Sequence, residues 1–220
     1  MKHFSKAFLV ALLVFVGALK VAAVDFDRMQ AVLAQRFGPA SQGSFRDWQK
    51  LLQDNADQAA PAKLRQVNDF FNRQVKFRDD QSVWGQSDYW ATPMETLGRG
   101  AGDCEDFAIA KYFTLLLLNV PDEKLRLIYV QARLGGANSS ITQAHMVLAY
   151  YTAPDVEPLI LDNLINDLQP ASRRADLQPV FSFNSQGLWQ GASGARGAGG
   201  PANLSRWQEL LRRARAEGFD

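Results

Sequence analysis

From Cys104 to Leu118 the chain is apolar on almost every side, with Lys111 as the main interruption, and Asn119 and Pro121 end the run. A helix without a polar face cannot lie on a surface; other elements must wrap it. A chain of 220 residues has room for one such wrapping, so the pattern predicts a single domain built around this segment.

The flanking patterns say what does the wrapping. Upstream, Phe26, Met29, Leu33 and Phe37 recur at helical spacing and stop at Gly38-Pro39. Phe45, Trp48 and Leu52 form a second stripe, and Leu64, Val67, Phe71 and Val75 form a third after Pro61. These stripes read as core-facing. Downstream come strand signals over 125–134, 144–152 and 158–164, with a weaker pair at 180–183 and 188–190. Helices first and strands after give an α+β fold. Residues 78–103 break periodicity with Gly85, Pro93, Gly98, Gly100 and Gly102, and read as a long structured loop. Trp84, Tyr89 and Trp90 lie within it, either as a lid on the core or as part of a substrate cleft. The stretch 191–200 is rich in Gly, Ala and Ser and reads as flexible.

The first residues follow a different logic. Lys2 and Lys6 precede an apolar run over 7–19, and Lys20 leads to the small residues Val21, Ala22 and Ala23. This is the pattern of an export signal, too short to span a bilayer comfortably; an uncleaved anchor is the competing reading. Cleavage near Ala23 leaves residues 24–220 as the domain, in an exported protein.

Charge and rare residues then narrow the chemistry. The 24 Lys and Arg nearly balance the 23 Asp and Glu, which leaves no basic field to hold nucleic acid. The lone cysteine, Cys104, excludes internal disulfides and multi-cysteine zinc sites. Of the two histidines, His3 lies in the export signal, so His145 is the one that remains.

Asp103 suits the N-cap of the buried helix, with Asp106 three residues on as the returning half of a capping box. Cys104 then falls in the first turn, where free N–H groups and the helix dipole favour a thiolate; the other reading is an inert buried thiol. A hairpin centred between Ala153 and Pro154 sets His145 directly opposite Asp162, close enough for the carboxylate to orient the imidazole. That pair is either a structural closure of the hairpin or half of a reactive centre. A nucleophilic thiol needs a base, and the base needs an orienting group. Cys104, His145 and Asp162 form the one His-based triad the exported chain can assemble.

Asp103, Glu105 and Asp106 place three negative charges beside this thiol and oppose its ionisation. A hard cation bound by their oxygens would reverse the effect, calcium suiting a flexible oxygen cluster better than magnesium. The alternative is a capping box with solvated acids.

The blocks Gly102-Asp103-Cys104-Glu105-Asp106, Gln143-Ala144-His145-Met146-Val147 and Leu161-Asp162-Asn163 resemble the signatures of bacterial transglutaminase-like cysteine proteases, over about residues 75–166. The resemblance implies a papain/transglutaminase-like fold, with the Cys-bearing helix packed on an antiparallel sheet that carries His and Asp. It further implies a periplasmic, calcium-dependent endopeptidase that cuts a large surface adhesin near its N-terminus at a di-alanine site, controlling biofilm release. An inner-membrane cyclic-di-GMP receptor is the implied sequestering partner. By position, Cys104 corresponds to the nucleophile, His145 to the base and acid, and Asp162 to the orienting residue. Asp103, Glu105 and Asp106 fall at calcium-binding positions. The Gly-rich segment 191–200 departs from the pattern. Two other functions fit the same residues: acyl transfer to an amine, and a non-catalytic, calcium-stabilised binding protein whose thiol is buried.

Overall fold

The computed structural model describes residues 24–135, 139–192, 197 and 200–219. The export-signal reading and most of the Gly-rich segment lie outside them. Three helices open the fold: α1 (Phe26–Phe37), α2 (Ser41–Asn55) and α3 (Ala60–Gln74). Met29, Leu33, Phe45, Trp48, Leu64, Val67 and Phe71 of the predicted stripes are inaccessible to solvent, while Phe26 and Phe37 at the two ends of α1 are only partly buried. Asp25 caps α1 by accepting from the Arg28 N–H at 2.9 Å, and α1 ends at Gly38, whose positive φ of 74° suits glycine.

Residues 76–102 hold more helix than their composition suggests. A short strand, β1 (Lys76–Phe77), is followed by α4 (Asp80–Trp84), α5 (Pro93–Arg99) and β2 (Ala101–Gly102), which pairs parallel with β1. The loop expected over 78–103 is therefore two short helices joined by turns. Its sequence carries the reason: Thr92 accepts from the Glu95 N–H, Glu95 reaches back to the Thr92 N–H, and Pro93 takes the first helical position. At α4, Asp79 caps through the Ser82 N–H at 2.9 Å.

The central helix α6 (Cys104–Leu117) packs against α3, α5 and the strands β3 and β4. Ile109, Ala110 and Leu115 are wholly buried, and Trp48 donates through its indole N–H to Thr114 Oγ1 at 2.9 Å, tying α2 to α6. Lys111 is buried with them.

Six strands follow: β3 (Leu125–Arg133), β4 (Thr142–Tyr150), β5 (Leu159–Leu161), β6 (Gln169–Pro170), β7 (Leu177–Phe183) and β8 (Leu188–Gln190). They form an antiparallel sheet in the order β6-β5-β4-β3-β7-β8. Strand alternation divides its residues. Leu127, Met146, Leu148, Leu161 and Phe183 join the core around α6, while Ile128, Val130, Val147, Ala149 and Ile160 form a second cluster. The last helix, α7 (Ser205–Glu217), returns to the helical layer, where Arg36 of α1 bridges Glu95 of α5 and Glu217 of α7 at 2.6 and 2.7 Å. No helix among the described residues is long and apolar enough to cross a membrane.

Candidate active site

Cys104 is the first residue of α6, and its side chain is almost buried, at 8% exposure for the residue. The backbone brings it there through a close approach. A Cβ on Gly102 would lie 2.5 Å from Asp106 Oδ2, so only glycine lets the chain pass beside that carboxylate. Asp106 is in turn committed to the backbone, accepting from the N–H groups of Ala91 at 2.7 Å and Asp103 at 3.3 Å. It pins the segment before α5 to the head of α6.

His145 and Asp162 are brought together, but not as the centred hairpin predicts. The ladder pairs Leu148 with Leu161, Ala149 with Ile160 and Tyr150 with Leu159, then stops at Leu161. Continued by one residue, this register sets Asp162 opposite Val147, leaving His145 as a diagonal neighbour two positions along. The shift of two keeps both side chains on the same face, so alternation survives the error in register. His145 Nε2 lies 2.8 Å from Asp162 Oδ1, within the reach of a diagonal pair. Asp162 also accepts from the Leu164 N–H at 3.0 Å and from Arg174 Nη2 at 2.7 Å. Burial pushes its carboxyl up, but the hydrogen bond and charge of His145, with help from Leu164 and Arg174, win and hold it at about 2. Asp162 is thus an anion, and an anion only accepts. Nε2 must carry the hydrogen, which leaves Nδ1 of His145 as the basic nitrogen.

Cys104 and His145 line one cavity of about 640 Å³, together with Phe77, Trp90, Tyr129 and Phe181. The aromatic segment upstream of α6 divides between the two roles open to it. Trp90 reaches the cavity while stacking on Phe183 at 5.6 Å, whereas Tyr89 packs on Trp84 and donates to Glu95 at 2.9 Å. The thiol donates not to His145 but to Glu105 Oε2, at 2.8 Å. Burial, the charge and hydrogen bond of Glu105, and the charge of Asp103 all push the thiol upward, so these groups favour its protonated form.

The acidic cluster is larger than the sequence indicated. Carboxylate oxygens from Asp80, Asp103 and Asp106 lie within 4.8 Å of one another, and so do those from Asp80, Asp88 and Glu105. Asp80 and Asp88 were not among the expected ligands. Burial and the charges of its neighbours push Asp80 up to about 6 and Asp103 to about 9, and Asp106 rises well above the usual range. Two buried oxygens here, Asp80 Oδ1 and Asp103 Oδ1, have no hydrogen-bond partner among the described residues. Carboxylate oxygens crowded this closely, raised in pKa by one another and partly without partners, are the oxygen-only donor set that a hard divalent cation such as calcium takes. Asp106, with both oxygens bonded to backbone N–H groups, serves first as a brace. Asp88 has a second attachment, since its carboxylate pairs with Arg206 of α7 at 2.8 Å.

The helical layer, the antiparallel sheet and the cysteine heading the central helix define a transglutaminase-like α+β protein. The chain belongs to the bacterial transglutaminase-like cysteine proteinases, matching that family over residues 45–176. Among solved structures, EGTA-treated LapG of Legionella pneumophila superposes with a TM-score of 0.74 and 36% identity, covering 87% of this chain and 98% of that one. Calcium-bound LapG of the same organism gives a TM-score of 0.72 and 37% identity, covering 86% and 99%. No curated protein matches in sequence.

Proposed function

We propose that this protein is a calcium-dependent, periplasmic cysteine endopeptidase that cuts a large surface adhesin near its N-terminus at a di-alanine site and so governs release from biofilms. The observation that carries the reading is the sharing of one cavity by Cys104 and by His145, whose Nε2 is engaged by Asp162. Nδ1 of His145 takes the thiol proton, and the Cys104 sulfur attacks the scissile carbonyl carbon. The imidazolium then gives its proton to the leaving amine as the C–N bond breaks and a thioester forms. His145 draws a proton from water, whose oxygen displaces the sulfur and frees the new carboxylate. Asp162 stays ionised throughout, holding the ring and its charge. The Cys104 backbone N–H, at a helix start, supplies one donor to the oxyanion.

Asp103, Glu105 and Asp106, joined by Asp80 and Asp88, are the carboxylates that would hold the calcium ion. Bound there, it would supply the positive charge that offsets the carboxylate field opposing thiolate formation. Its dependence on calcium is supported by the calcium-bound and EGTA-treated forms of LapG. An inner-membrane cyclic-di-GMP receptor is the proposed sequestering partner, and export by residues 1–23 the proposed route to the periplasm. The test is cleavage of an adhesin N-terminal segment containing a di-alanine site, with calcium present. Cys104→Ala should abolish it, and undiminished cleavage would refute the reading. A labelled amine added to the same reaction should remain unincorporated; its incorporation would make the protein an acyltransferase.

A further inference from the structure

Asp162 lies one residue beyond the end of β5, where ladder hydrogen bonds no longer fix the backbone. Other groups do that work. Asn72 of α3 donates to the Asp162 carbonyl at 2.8 Å, and Arg174 donates to its carboxylate Oδ2 at 2.7 Å. The Arg174 and Asp162 side chains are 2% and 0% exposed, so this ion pair is out of water. Arg174 follows a single 3₁₀ turn (Ala171–Arg173) and is itself braced. Its Nε donates to Asp176 Oδ1 at 3.0 Å and its Nη2 to Asp176 Oδ2 at 2.8 Å. One planar fork thus spans two carboxylates, a geometry that a lysine cannot reproduce.

The two oxygens of Asp162 are thereby divided. Oδ1 faces His145 Nε2 and the Leu164 N–H, and Oδ2 faces Arg174. We propose, resting on the Cys104–His145–Asp162 reading above, that Arg174 is a positioning residue of that centre: by occupying Oδ2 it fixes the carboxylate plane so that Oδ1 meets the imidazole. Arg174 is not among the residues lining the cavity that holds Cys104, so it acts through Asp162 alone. Remove the fork and Oδ2 is left buried without a donor. The carboxylate then turns to find another, and His145 loses the partner that sets its tautomer and ring angle.

The test uses the full chain with calcium supplied, assayed on the same di-alanine segment. Arg174→Gln should lower kcat by about tenfold or more while KM stays within about twofold, because the loss is of alignment and not of substrate contacts. Arg174→Lys, which keeps the charge without the fork, should recover part of the loss.

With only two histidines in the chain, ¹⁵N-histidine NMR resolves His145. Its hydrogen-bonded Nε2 proton should be sharp in the parent and lost or broadened in Arg174→Gln. If Arg174→Gln does not fold, Arg174→Lys carries both readouts. Parental kcat and an unchanged imidazole signal in the folded Arg174 variants would overturn the proposal. Asp162→Asn, run alongside, separates the two claims. Its inactivity beside fully active Arg174 variants refutes the role of Arg174 alone, and its full activity refutes the triad.

Discussion

His145 and Asp162 meet at 2.8 Å across a diagonal of the sheet, one residue past the point where the ladder between β4 and β5 ends. The pair is therefore held by side chains and not by strand pairing, and its chemistry depends on Asp162 being an anion. Asp162→Asn would keep the shape but offer His145 an amide that can donate to Nε2 and favour the wrong tautomer. Activity is expected to fall on the order of 10²- to 10⁴-fold with little change in KM, measured by steady-state cleavage of the adhesin segment.

Metal binding should depend on Asp80, a residue far from Cys104 in sequence but grouped with Asp103, Asp106 and Glu105 in the acidic cluster. Asp80→Asn removes one charge and an orphaned oxygen. Calorimetric titration should show calcium affinity reduced by about tenfold or more, with the apo protein's melting temperature unchanged or raised, since repulsion is relieved. Unaltered affinity would remove Asp80 from the site.

Thiol reactivity should track the same cluster. Cys104 donates to Glu105, so its alkylation by iodoacetamide at neutral pH is expected to be slow in EGTA and faster in calcium. Glu105→Gln should speed alkylation in EGTA by removing the charge and should reduce the difference calcium makes. A rate in EGTA equal to that in calcium would contradict the electrostatic account.

Lys111 provides a stability test with a definite sign. Burial lowers its ammonium to about 7, partly countered by the charges of Asp162 and Asp69, and its Nζ has no hydrogen-bond partner among the described residues. Between about 7 and the ordinary lysine value the unfolded chain holds a proton that the native one lacks, so this group makes stability rise with pH across that window. Below about 7 both states are charged and the full cost of burying the ammonium remains, a few kcal/mol. Lys111→Met should flatten this slope and raise the melting temperature at pH 7, as measured by calorimetry from pH 6 to 10. A lower melting temperature would mean the ammonium is compensated in place.

Gly102 should tolerate nothing larger. Gly102→Ala drives a methyl to 2.5 Å from the Asp106 carboxylate, which also holds the Ala91 and Asp103 N–H groups. Denaturant unfolding should register a loss of about 1–3 kcal/mol, and thiol alkylation in calcium should change because the head of α6 moves.

Much of this arrangement can be read before any coordinates exist, because it rests on local rules. The all-round apolarity of 104–118 marks α6, the stripes mark α1 to α3, and strand-forming runs bounded by turn residues mark β3 and β4. What local rules miss has two causes. α4 and α5 are too short to show a period, and their caps, Asp79 and the Thr92–Glu95 box, are the usable signal. The hairpin register depends on turn length, which a symmetric midpoint misjudges; pairing Tyr150 with Leu159 makes the connection shift by two. Asp80, Asp88 and Arg174 come from separate parts of the chain, and no spacing announces that they converge on the head of α6 and on the residue just past β5.

Asp88 stands between two neighbourhoods: its carboxylate lies within 4.8 Å of those of Asp80 and Glu105, and it pairs with Arg206 at the start of α7. Any rearrangement that draws this side chain inward must either break its tie to the C-terminal helix or tow that helix along. A distance label on α7 would then respond to events at the head of α6, which makes the tail of the protein a natural place from which to watch its reactive end.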